Sequence, residues 1–193
     1  MTIYKIIIAF IVISTMGMSV EPSYDNDITN TIRTRPIAWA QPVLGSSLGN
    51  LYKIDDELYR SKQPTSKDLG IIKKLGIKSI LSFREYHDDS DIFKKEDNIT
   101  LYKVEIRTSK MSVDEIKQSL EIIKNAPKPI LIHCWHGSDR TGVVTASYRI
   151  VKQKWSKKDA IDEFKNGGYG YHATIYPKLE QLLWGLDENL LKF

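Results

Sequence analysis

Short apolar runs of strand length alternate with longer stretches of helical spacing over most of the chain. Leu51-Tyr52-Lys53-Ile54 and Leu58-Tyr59-Arg60 flank Asp55-Asp56-Glu57, which predicts a hairpin. Pro64-Thr65-Ser66 opens a helix through Leu75. Leu69, Ile72 and Leu75, with Ile71 beside them, form its stripe, and Gly76 stops it. Lys78 to Phe83 predicts a strand, Arg84 to Asp91 a charged loop, and Leu101 to Ile106 another strand. Ser112-Val113-Asp114-Glu115 reads as a capping box in which Ser112 caps and Glu115 reaches back. The helix behind it runs to about Asn125 on Ile116, Leu120 and Ile123, until Pro127 and Pro129 end it. Pro129-Ile130-Leu131-Ile132 is short and apolar, as a buried strand is. Helical segments follow at 141–153, 156–165 and 174–187. Ser156 caps the second, and Leu179, Leu182, Leu183 and Leu186 stripe the third. Strands alternating with helices predict a single-domain α/β fold: a central, mostly parallel sheet flanked by helices on both faces.

The alternation fails before Asn50. Lys5, the apolar run Ile6 to Ile13 and the small-residue stretch Ser14 to Ser19 have the order of an export signal. Gly17 and Ser19 suit the positions three and one before a cut, so residues 1–19 are expected to be removed. The apolar run is shorter than the ~20 residues a membrane span needs, so no stable membrane anchor is expected. Residues 20–49 are polar and read as a linker, ordered near Ile37-Ala38-Trp39-Ala40, where an aromatic docks on the body of the domain at 50–193. Export places the protein in a periplasm or outside the cell.

Of the 193 residues 41% are hydrophobic and 27% charged, enough apolar content for one sizeable core. The net charge of +4 admits an anionic ligand. No Lys/Arg stripe is interleaved with aromatics, so nucleic acid is not an expected partner. No His/Asp/Glu/Cys set has metal-site spacing, and neither metal nor cofactor is expected. His87 and His172 read as loop residues, and Trp155 and Trp184 as core.

The chemistry concentrates in His133-Cys134-Trp135-His136-Gly137-Ser138-Asp139-Arg140-Thr141-Gly142. Its cysteine is the only one in the chain, so it forms no internal disulfide. It sits between a strand end and a helix start, where amides lack helical partners and the helix dipole is positive. Five residues separate Cys134 from Arg140. A loop of that length can wrap its amides and the guanidinium around a phosphate, with a thiolate at the floor. An ordinary thiol has a pKa of about 8.5; Arg140 and the orphan amides favour the thiolate. Attack on phosphorus would give a phosphocysteine that water cleaves. Arg140 would clamp the equatorial oxygens as a fork, and Gly137 would allow close backbone approach. Thr141 could donate its hydroxyl to the sulfur, and His133 could fix the loop by hydrogen bonding. Trp135, His136, Gly137, Ser138, Asp139 and Arg140 complete the phosphate-binding set.

His133-Cys134 to Arg140-Thr141-Gly142 resembles the H-C-x5-R-[ST]-G signature of cysteine-dependent protein tyrosine and dual-specificity phosphatases, and the resemblance runs from about Leu51 to Leu186. Tyr59-Arg60-Ser61 with Gln63-Pro64, Tyr148-Arg149 and Gly167-Gly168-Tyr169-Gly170 resemble the small exported bacterial members. Rhodanese-type sulfur transferases have a similar turn with a loop one residue shorter. The resemblance implies hydrolysis of phosphotyrosine or phosphoserine/threonine proteins, or of small phosphate esters; a monomer is expected. Inositol phosphates or phosphoinositides are the alternative substrates. A pseudophosphatase that binds without turnover is the alternative of another class, and a sulfur transferase is a third.

The family supplies an Asp from the loop before the helix at 112–125, to protonate the leaving oxygen. Here that loop is Arg107-Thr108-Ser109-Lys110-Met111 and holds no carboxylate. Asp139, Asp114, and Asp88 or Asp89 are the substitutes, with Asp139 ranked first. Myotubularin-type lipid phosphatases also carry an Asp directly before this Arg. Its drawback is a negative charge beside the thiolate and the phosphate. In a fold of this type the loop at Gly167 to His172 faces the active site, so Tyr169, Tyr171 or His172 could touch substrate; a plain turn between helices is the alternative reading.

Overall fold

A computed structural model describes residues 35–190. The expected export signal, 1–19, and the linker up to residue 34 lie outside the described residues.

A six-stranded sheet has the order β1-β2-β3-β6-β4-β5. Its strands are β1 (Gln41–Pro42), β2 (Tyr52–Lys53), β3 (Leu58–Ser61), β4 (Ser79–Ser82), β5 (Thr100–Lys103) and β6 (Ile130–His133). β3, β6, β4 and β5 run parallel, and the first hairpin adds β2 and β1 antiparallel at one edge. The parallel strands explain the uniformly apolar runs of the sequence, because both faces are covered. Ile130 and Ile132 of β6 face one core while Leu131 faces the other. Leu81 and Ile80, and Leu58 and Tyr59, divide the same way.

The larger core lies under α2 (Val113–Asn125), α3 (Asp139–Val151), α4 (Lys157–Asn166) and α5 (Lys178–Trp184). The smaller one lies under α1 (Leu69–Lys74) and the loop carrying Ile92 and Phe93. The expected mostly parallel sheet with helices on both faces is therefore what the chain builds. α2 starts at the expected capping box: Ser112 N donates to Glu115 Oε2 at 2.7 Å, and Glu115 N to Ser112 Oγ at 3.5 Å. α3 is buried nearly all round. Gly142 lets it approach α4, since a Cβ there would lie 2.5 Å from the Phe164 ring.

Several expectations change. The helix expected at 64–75 opens as a 3-10 turn at Ser66–Asp68 before α1, and the helix expected at 174–187 is only Lys178–Trp184. The end of the linker belongs to the domain, because Gln41–Pro42 pairs with β2 and Leu48 is buried. The hydrogen bonds of this docking are made by Ala40 and Arg35. Ala40 N donates to Glu163 Oε1 at 2.6 Å and Arg35 Nη1 to the Gly167 carbonyl at 2.7 Å, while Trp39 stays half-buried. Trp184 is 49% exposed, so it is not core, whereas Trp155 packs against the core under the Arg149 guanidinium. No helix among the described residues is long and apolar enough to cross a membrane.

Candidate active site

β4 and β6 end side by side, with Phe83 N donating to the His133 carbonyl at 2.9 Å, and Cys134 follows as the first residue past β6. Its thiol is free and buried. The chain then turns through residues 135–138 into α3, and three successive carbonyls of the turn are held from outside. Gln63 N donates to the Trp135 carbonyl at 3.0 Å, Asn50 Nδ2 to the His136 carbonyl at 2.9 Å, and Arg60 Nη2 to the Gly137 carbonyl. In a trans peptide N–H and C=O point opposite ways. The amides of His136, Gly137 and Ser138 are therefore turned away from those partners, toward the loop interior. The loop closes only with glycine at 137: its φ is +73°, and a Cβ there would lie 2.5 Å from the Ser61 carbonyl oxygen.

Arg140 in the first turn of α3 is pinned by one nitrogen. Nη1 donates to the Phe83 carbonyl at 3.0 Å and the Ile106 carbonyl at 3.1 Å, the carboxyl ends of two neighbouring strands. Its buried Nε has no hydrogen-bond partner among the described residues. A guanidinium held this way keeps a donor edge for a forked contact with an oxyanion. The Thr141 hydroxyl is buried and also unpartnered, so the donation expected from it to the sulfur is not made in this state.

Two more guanidiniums stand close by, and neither was singled out for a role in the sequence. Arg60 is fully buried with its charged group 3.6 Å from the centroid of the Tyr169 ring, and burial lowers its pKa from the ordinary value. The Cys134 charge acts in the opposite direction, which places the thiol within its field. Arg84 lies over the exposed Trp135 ring at 4.5 Å and donates to Gln63 Oε1. Burial first, then the like charge of Arg140, lower the Arg84 pKa, partly offset by Cys134 and Asp89. The mouth of the loop thus carries Arg84, Trp135 and His136, whose rings stack at 5.7 Å.

His133 does fix the loop, through an acid that the sequence had offered as a proton donor. Asp89 is buried: Oδ2 lies 2.7 Å from His133 Nε2 and Oδ1 lies 3.2 Å from His87 Nε2. Gln63 Nε2 lies 2.7 Å from the same His87 nitrogen. Asp89 Oδ2 therefore holds the His133 imidazole behind the loop, while its buried Oδ1 makes no hydrogen bond among the described residues. Asp88 is exposed and caps a 3-10 turn by accepting from Ser90 N at 2.9 Å. Asp114 is exposed in the first turn of α2. Asp139 is buried, and both of its oxygens are engaged: Oδ1 accepts from His172 N at 3.0 Å, and Oδ2 lies 2.9 Å from His172 Nδ1. His172, read in the sequence as a loop residue, is thereby tied to the first turn of α3. The expectation that the loop at 167–172 faces the active site, with Tyr169, Tyr171 or His172 able to touch substrate, left the partner of His172 unnamed, since nothing local marks which loop will meet which.

No cluster of three or more His, Cys, Asp or Glu residues that could hold a metal occurs among the described residues. A cavity of about 780 Å³, lined by Glu57, Lys128 and Tyr148 among others, opens at the opposite ends of the strands. No residue of the phosphate loop lines it.

Comparison with known proteins gives a consistent assignment. A family model described as the tyrosine phosphatase family matches residues 48–170. The chain is 34% identical over 142 residues to the dual specificity protein phosphatase TpbA of Pseudomonas aeruginosa, a match covering 72% of this chain and 63% of that relative's length. The crystal structure of a Cys-to-Ser variant of TpbA in complex with phosphotyrosine superposes with a TM-score of 0.74 at 30% identity, covering 82% of this chain and 96% of that one. The core catalytic domain of the PP-IP phosphatase SIW14 from Saccharomyces cerevisiae, in complex with citrate, superposes with a TM-score of 0.65 at 28% identity, covering 75% and 89%.

Proposed function

Because the chain belongs to the tyrosine phosphatase family, we propose that it hydrolyses phosphate monoesters through a phosphocysteine on Cys134. The observation that carries this reading is the pairing of a buried thiol with an Arg140 guanidinium whose Nε is buried and unpartnered beside inward-turned amides. Those donors bind a phosphate dianion and hold it for in-line attack. The sulfur forms a bond to phosphorus as the bond to the leaving oxygen breaks, and that oxygen takes up a proton. Water then attacks phosphorus, gives up a proton, and the S–P bond breaks to return the thiolate. The buried Thr141 hydroxyl has an unused hydrogen to give to the departing sulfur in this second step. No metal enters this scheme: charge is met by Arg140, by the loop amides and by the field of the buried Arg60.

The first substrate class is phosphotyrosine or phosphoserine/threonine in proteins, supported by the similarity to TpbA. Inositol phosphates are the second reading, favoured by a specific observation: Arg84 adds a cation beside Arg140 at the mouth, and the SIW14 similarity points the same way. We further propose an exported protein with the segment 1–19 removed, on the order of charge, apolar run and small residues in the sequence. N-terminal sequencing of the secreted chain checks this.

The decisive assay follows phosphate release from p-nitrophenyl phosphate, phosphotyrosine and phosphoserine peptides and inositol phosphates, with Cys134→Ser as control. No release from any substrate overturns the phosphatase reading in favour of a phosphate-binding pseudophosphatase. Equal release by Cys134→Ser overturns the phosphocysteine route.

A further inference from the structure

We propose that His172, held by Asp139, is the catalytic acid that protonates the leaving oxygen and the base that takes the proton back from the attacking water. The inference rests on the phosphatase reading above and supplies the group that the loop at 107–111 lacks. That loop forms an exposed 3-10 turn, Thr108–Lys110, with no carboxylate. Of the other acids, Asp89 holds His133 through Oδ2 behind the loop, Asp88 caps its own turn, and Asp114 is exposed. Asp139 cannot easily act alone, since both carboxylate oxygens accept from His172.

His172 is fixed next to the phosphate loop by three independent ties. Asn50 Nδ2 bridges the His136 and Tyr169 carbonyls at 2.9 Å each, joining the two loops. Gly170, with φ of +78°, brings the 170–172 backbone against Ser138, whose Oγ would be 3.2 Å from a Cβ at 170. Asp139 takes both the backbone amide and the ring Nδ1 of His172. The imidazole is 5.8 Å from the His136 ring at the loop mouth and stays 39% exposed. Donation of Nδ1–H to Asp139 sets the tautomer and leaves Nε2 as the site that carries the exchangeable proton, the same logic by which a carboxylate orients a catalytic histidine elsewhere. The charge argument against a carboxylate in the loop is answered too, because a protonated His172 offsets the Asp139 charge near the thiolate. The ionisable groups facing the ring are Asp139 from α3 and His136 from the phosphate loop, with Tyr171 next to it in sequence.

In the first step the S–P bond forms and the P–O bond breaks as Nε2–H passes its proton to the leaving oxygen. In the second, water attacks phosphorus, its proton returns to Nε2, and sulfur leaves as thiolate. Each half-reaction balances with no added reagent. Asp139 is a positioning residue in this scheme.

The test uses the full chain with His172→Gln and Asp139→Asn, on aryl phosphates graded from dinitrophenyl phosphate, a leaving group that needs no proton, to phenyl phosphate, which does. For His172→Gln the expected loss in kcat/KM is about 10²-fold or more with phenyl phosphate and small with dinitrophenyl phosphate, with the basic limb of the pH profile removed. Asp139→Asn is expected to steepen the same leaving-group dependence by less. A loss in His172→Gln that is uniform across the series, or a basic limb that persists, overturns the assignment. Absence of turnover by the unaltered chain on every aryl phosphate overturns the phosphatase reading instead, and this inference with it.

Discussion

Gly137 shows how much a single residue can carry at this site. Two constraints meet there: a φ of +73° and a backbone wall, with the Ser61 carbonyl oxygen 2.5 Å and Lys62 N 2.7 Å from where a Cβ would stand. The positive φ alone costs a residue with a side chain about 1–3 kcal/mol, and relief of the close contact requires the loop to move away from β3. Gly137→Ala is expected to lower the urea midpoint and to cut phosphate release more than its stability loss explains, since the amides of 136–138 lose their aim. Urea unfolding followed in parallel with p-nitrophenyl phosphate turnover checks both. The sequence placed a glycine where the backbone must come close, and the need is met by strand β3 rather than by the ligand. At the same scale, Arg60 and Arg84 were invisible as active-site cations, because a basic residue in a hairpin or a charged loop looks like a solvated one until the fold buries it.

Helix α2 is the element whose boundary was most legible, because its signal is local. A capping box needs only residues three apart, and both halves of it form. Ser112→Ala is expected to cost about 1 kcal/mol of stability, read as a lower denaturant midpoint with kcat/KM unchanged. An altered kcat/KM would mean that the 107–111 turn ahead of α2 takes part in catalysis. Helix α3 is the opposite case. It begins at Asp139, earlier than the apolar pattern predicted, because Asp139 and Arg140 are polar for chemical reasons and hide the helix start. The end strand β1 escaped detection for a related reason. Gln41–Pro42 is too short and polar for any periodicity, and it is a strand only because β2 pairs with it.

Over the whole molecule, a buried network connects the edge of the sheet to the phosphate loop. Glu163 pairs with Arg149 Nε at 2.7 Å and accepts from Ala40 N and from the Tyr169 hydroxyl at 2.8 Å. Tyr169 in turn lies under the Arg60 guanidinium that holds the Gly137 carbonyl. Arg149→Met leaves Glu163 as an uncompensated buried charge and is expected to cost about 3–5 kcal/mol. The double variant Arg149→Met with Glu163→Leu should recover much of that loss in a thermal melt. The same interior predicts a pH response. Burial raises the Tyr148 and Tyr169 pKa values above the ordinary one, with Asp55 adding to the effect at Tyr148 through a 2.8 Å hydrogen bond. The folded chain therefore holds these protons more tightly than the unfolded chain. Their stabilisation is intact below about pH 10 and falls as pH rises past the unfolded tyrosine pKa. Tm measured from neutral pH upward is expected to drop above about pH 10, less steeply in Tyr148→Phe.

The sequence by itself determined the alternation of strands and helices, the single cysteine at a strand end, the five-residue loop and the arginine that closes it. These depend on local spacing, and a chain can state them without knowing its neighbours. The tertiary structure alone decided which side chains surround that loop: Asn50 and Arg60 from the first hairpin, Arg84 and Asp89 from the loop after β4, and His172 from the loop before α5. Parallel strands separated by helices bring these segments to one carboxyl edge, and contacts across such distances leave no periodic trace in sequence. The proton donor is the clearest instance. Asp139 could be read beside Arg140, but its histidine lies 33 residues further on and meets it only in the folded chain.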